Sequence, residues 1–166
     1  MASELDALFE ENIGQLAVDL DKAIKSALPE YARLREAGQK GELTGIYISL
    51  LRSSVFCKLP WLRIDLCDKK GLGDKTECAA DFDIPTISER VYSEAEKRKD
   101  QKGWTKEYQL EEAWLVASGK CFQRFEKHLP EIISMCETVK AVDCRWHFGE
   151  FLGNDVIVHE RGNGES

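Results

Sequence analysis

The residues best suited to recognition chemistry are Arg52, Arg63 and Asp65, which lie in apolar stretches beside Phe56 and Trp61. Two guanidinium forks next to a carboxylate can hold an anionic ligand or a partner's acidic side chain through paired hydrogen bonds. Set along a solvated antiparallel face, the same residues amount to a ladder of cross-strand ion pairs. Glu150 and His159 form the second set. A carboxylate opposite an imidazole supports general-base chemistry when a nucleophile and a pocket accompany it, and is otherwise a surface pair. Trp146 would share their strand face by alternation, and it joins Trp61, Arg52, Arg63 and Asp65 as a candidate ligand- or partner-binding residue.

The remaining patterns fall short of a chemical signature. Cys144 and His147 point to opposite faces if they lie on a strand, and Cys121 and His128 stand about two turns apart on a helix. There is no CxxC, no histidine pair at helical spacing and no Asp-rich calcium loop, so neither a metal nor another cofactor is expected. The segment Lys69-Lys70-Gly71-Leu72-Gly73-Asp74-Lys75 has glycines and lysines that could approach phosphate. It lacks the strand-to-helix context of a phosphate loop and reads as a flexible charged turn.

Positioning these groups requires elements, and the hydrophobic periodicity supplies them. Leu5, Leu8, Phe9, Ile13, Leu16, Leu20, Ile24, Ala27, Tyr31 and Leu34 recur at helical spacing, so the first thirty-five residues are read as helix, kinked or restarted at Pro29 and stopped by Gly38 and Gly41. Residues 46–56 are apolar and β-branched, and residues 61–68 alternate. The two are expected to pair as a hairpin turning at Lys58 and Leu59, with Leu51 facing Leu66, Arg52 facing Asp65 and Ser54 facing Arg63. Residues 69–84 read as loop. A Thr86-x-x-Glu89 capping box after Pro85 opens a helix ending near Gly103. A longer helix from about Thr105 carries Leu110, Trp114, Cys121, Phe125, Leu129, Ile132 and Cys136 on one stripe, bent or divided by Pro130. Residues 143–160 read as a second hairpin turning at Asn154-Asp155, which would set Glu150 opposite His159.

The expected fold is therefore α+β, an antiparallel sheet of two β-hairpins with helices packed on one face, in the order α-ββ-αα-ββ. Leu28-Pro29-Glu30 and Leu129-Pro130-Glu131 stand 101 residues apart and raise a diverged internal duplication, which their differing flanks oppose. At 166 residues the chain suits one domain, taken as residues 1–160, with 161–166 a flexible polar tail.

Composition narrows the partners. The net charge is −7, and residues 1 to 30 hold seven acids against two lysines, which disfavours nucleic acid because phosphate binding is built from Lys and Arg. No apolar run reaches membrane-spanning length and no export signal opens the chain, so no membrane association is expected and the six cysteines are read as reduced thiols of a cytoplasmic protein. The functional expectation is a non-enzymatic binding or interaction domain of regulatory, adaptor or inhibitor kind, acting on a protein partner or on itself. The alternatives are a small-molecule enzyme using the Glu/His or Arg/Asp cluster, and a structural homo-oligomer.

Overall fold

The computed structural model describes residues 2–56, 61–103 and 105–160, with the side chains of residues 2, 3 and 56 excepted. The expected turn at Lys58-Leu59, the Phe56 side chain and the 161–166 tail lie outside the described residues. The chain runs α1 (Ala2–Glu36), β1 (Gly45–Leu50), α2 (Arg52–Phe56), β2 (Trp61–Cys67), a 3-10 turn (Gly71–Gly73), β3 (Ala79–Asp83), α3 (Pro85–Lys102), α4 (Glu107–Met135), α5 (Glu137–Ala141), β4 (Arg145–Glu150) and β5 (Asp155–His159).

The fold is α+β, but its sheet is mixed rather than purely antiparallel. The strand order is β3-β2-β1-β4-β5, with β1 parallel to β4 and every other pairing antiparallel. The parallel pair follows from connectivity, because the whole segment from α2 to α5 separates β1 from β4 and forms the long crossover such a pair needs. Residues 79–83, expected as loop, add a fifth strand because the alternation of Asp81, Phe82 and Asp83 buries Phe82 and leaves the acids in solvent.

The first hairpin has a different register from the one expected. Ile46 faces Leu66, Tyr47 faces Asp65 and Ser49 faces Arg63. Strand β1 ends at Leu50, and residues 52–56 turn into α2, where the Ser54 hydroxyl donates to the Leu51 carbonyl at 2.6 Å. Val55 is buried with Ala95, Ala113 and Trp114, so contact with α3 and α4 overrides the strand propensity of this segment.

Pro29 and Pro130 both lie inside continuous helices rather than at breaks. Each is surrounded by anchoring side chains, Ala27, Tyr31 and Leu34 in α1, and Leu129, Ile132 and Ile133 in α4, all buried. Helix α1 ends where Gly38 adopts φ +70, a left-handed position that suits glycine, and the Gln39 N–H donates to the Leu34 carbonyl at 2.9 Å.

The core lies between one sheet face and the layer of α1 and α4. Ile46, Ile48, Leu62, Ile64, Leu66, Phe82, Trp146 and Phe148 meet Phe9, Leu16, Leu20, Ile24, Cys121, Phe125 and Leu129. Phe125 is central, with ring centroids 5.9 Å from Phe9, 6.3 Å from Phe82 and 5.5 Å from Phe148. This layout does not follow from a duplication. Parallel β1 and β4 with their hairpin partners outside are related by a two-fold axis along the strands, which would put α1 and α4 on opposite faces, yet they pack together on one.

Candidate functional site

Burial of Ile46 and Ile48 on the helix side turns Tyr47 and Ser49 to the other face, and the ladder sets Asp65 and His147 beside Tyr47, and Arg63 and Gly149 beside Ser49. The result is a polar band across three central strands. Arg63 Nε donates to both carboxylate oxygens of Asp65 at 3.0 and 2.9 Å, while its Nη2 donates to Asp65 Oδ1 and to Glu77 Oε2, each at 2.8 Å. The guanidinium also stands 4.7 Å from the Phe151 ring centroid. Asp65, assisted by Glu77, holds the Arg63 guanidinium above its ordinary pKa.

On the neighbouring strands Tyr47 and His147 stack with centroids 4.2 Å apart, and His147 Nδ1 lies 2.5 Å from Asp155 Oδ2. Burial raises the Tyr47 phenol, and the Asp155 carboxylate raises it further. Gly149 permits this pairing. A Cβ there would stand 2.2 Å from the Asn154 carbonyl oxygen, so only glycine lets the start of β5 come close enough for Asp155 to reach His147.

The structure distributes the expected site residues unevenly. Arg63 and Asp65 are together on this face, and Trp61 is 40% exposed at the start of β2. Arg52 stands on α2 and does not face Asp65, whose β1 partner is Tyr47. Trp146 is fully buried in the core and out of reach of an external partner. Glu150 does not face His159, which pairs with Trp146 instead. The connection runs through Phe151–Asn154, with the Gly153 N–H on the Glu150 carbonyl at 2.9 Å, so β5 begins at Asp155 and the imidazole–carboxylate pair becomes His147 with Asp155. No spacing rule connects residues eight apart, although Gly149, two residues after His147, marks the close approach.

None of the described cysteines is hydrogen-bonded to a histidine or other base. Burial pushes the thiols of Cys67, Cys121 and Cys144 up to about 12, which keeps them neutral and poorly nucleophilic near pH 7. His128 stacks on Phe9 and its Nε2 lies 3.2 Å from Asp6 Oδ1, beside Arg124 and Lys127. In the 69–75 turn, buried Lys40 donates to Asp74 at 3.2 Å and Asp68 accepts the Gly41 and Lys70 N–H groups at 2.7 and 2.9 Å. That turn is tied down by its own acids rather than open to phosphate. Among the described residues no group of three or more His, Cys, Asp or Glu side chains is placed to hold a metal ion.

Openings border several elements: one lies between α1 and α3, one between α1 and Val142, and two beside β5. A groove of about 380 Å³ is lined by Leu50, Phe122, Phe148 and Val156, and one of about 530 Å³ by Pro130, Val156, Ile157 and Val158; both run between α4 and β5. Strand β5 ends the sheet, and its Val156 and Ile157 are 47% and 52% exposed. Comparison with protein-family models, with curated proteins and with solved structures finds no match for this chain.

Proposed function

We propose that the chain is a non-enzymatic binding or interaction protein of regulatory, adaptor or inhibitor kind, working in the cytoplasm, and that it takes an extended chain segment along the open edge of β5. The observation that carries this reading is the half-exposed apolar pair Val156 and Ile157 on a terminal strand. Alternate residues of an edge strand aim their N–H and C=O groups outward, so an incoming strand gains main-chain hydrogen bonds while covering the apolar side chains. Edge strands that must stay unpaired are usually blunted by charge or cover. Strand β3, at the other end of the sheet, carries exposed Asp81 and Asp83 and lies against α1, whereas β5 has no charge between Asp155 and His159.

The polar band supports the same reading in a different way. Arg63 is bonded to Asp65 and Glu77, and His147 to Asp155, so these groups hold one another and stiffen the strands on which β5 rests. The described cysteines are all free thiols, in keeping with a reducing compartment. Among the described residues no helix is long and apolar enough to cross a membrane.

Immobilised protein exposed to an extract of its source cells should retain a stoichiometric partner that Ile157→Lys loses and Asp81→Lys keeps. Equal retention by Ile157→Lys would overturn the assignment of the edge.

A further inference from the structure

The β5 segment reads Asp155-Val156-Ile157-Val158-His159, with an acid at one end, an imidazole at the other and only branched apolar residues between. Resting on the edge-binding reading above, we propose that the occupant of this edge is β5 of a second copy, paired antiparallel about Ile157, so that two five-stranded sheets join into one of ten strands.

Three observations select a second copy. First, antiparallel pairing about Ile157 brings Asp155 to the register position of His159 in the other copy, and Val156 to that of Val158, so a carboxylate meets an imidazole that can donate to it and apolar meets apolar. Second, the other open edge is a poor occupant. Antiparallel pairing of β5 with β3 brings Asp155 to the register position of Asp83, setting like charges together in a chain of net charge −7. That head-to-tail pairing would also propagate into open filaments, while the β5 pairing closes after two copies. Third, the grooves on either side of Val156 run along α4, whose Glu126 and Lys127 line the one nearer the strand edge. A two-fold axis at Ile157 runs the two α4 helices in opposite directions on the same face of the joined sheet, so the lining of this groove flanks the shared edge in both copies.

The test measures mass by light scattering on the full chain from low micromolar to several hundred micromolar, together with cross-linking. The wild type should rise with concentration to twice the 18.9 kDa chain mass, Ile157→Lys should stay at one chain mass, and Asp81→Lys should behave as wild type. Unchanged circular dichroism of Ile157→Lys separates loss of pairing from loss of fold. Ile157→Cys should form an inter-chain disulfide under mild oxidation, because residues at the axis of an antiparallel pair have Cα atoms roughly 4.5 to 5.5 Å apart, within disulfide range. A wild type at one chain mass throughout, with no cross-link from Ile157→Cys, overturns self-pairing and leaves strand addition to a different chain. A dimer that Ile157→Lys does not weaken also overturns it, and places the contact on another surface.

Discussion

Arg63 and Asp65 illustrate how two residues that could hold a ligand come to hold each other. The carboxylate is almost fully buried, takes three hydrogen bonds from one guanidinium and lies too deep for an outside cation to compete. Removing it should leave a partly buried guanidinium with only Glu77 and the Phe151 ring. Asp65→Ala is therefore expected to lower unfolding free energy by about 2 kcal/mol in urea, within the range for an unsatisfied charged donor. A change below about 0.5 kcal/mol, the usual scale of surface substitutions, would mean the pair is merely decorative.

Asp68 gives the pH dependence at the same scale. Backbone hydrogen bonds from Gly41 and Lys70 hold its carboxyl below the usual carboxylate range, against the opposing effect of burial. Its folded pKa is the lower one, so its contribution is fully present above the unfolded value of about 3.9 and fades as pH falls through the folded value. Asp21, bonded to Lys25 and the Thr138 N–H, acts in the same direction. Melting temperature measured from pH 6 down to pH 2 should fall steeply below about pH 4, and less steeply in Asp68→Ala. Equal slopes would show that Asp68 titrates alike folded and unfolded.

At the scale of elements, the long helices and the 61–67 and 145–150 strands were legible because their periodicity is carried by many residues that all reach one core. Residues 51–56 were not. Their composition suits a strand, and only the distant Trp114 and Ala95 make α2 the better home for Val55. Val55→Ala should cost about 1 to 2 kcal/mol through lost burial, while Arg52→Ala stays within about 0.5 kcal/mol. The reverse order would restore the strand and the Arg52–Asp65 pairing. Pairing errors in the last hairpin have a similar origin, since Gly153-Asn154-Asp155 signals a turn but does not show that it spans Phe151–Asn154 and leaves Asp155 as the first residue of β5. Gly149→Ala would press a methyl group against the Asn154 carbonyl, so it should cost about 2 kcal/mol, typical of overpacking, and shift the His147 ring resonances as Asp155 moves away. Unshifted resonances would mean the hairpin tolerates the added carbon.

For the whole molecule, the helix-covered sheet face makes the core, the opposite face is closed by its own ion pairs, and the two sheet edges differ in kind. That asymmetry could not be seen in the sequence, because which strands end the sheet depends on the parallel pairing of β1 with β4, and neither strand advertises it. Backbone amide hydrogen exchange, compared between dilute protein and the saturated complex, addresses the edge most directly. Strand addition at β5 predicts slower exchange across residues 155–159 with residues 79–83 unchanged. Protection that appears elsewhere while β5 exchanges as before would contradict it.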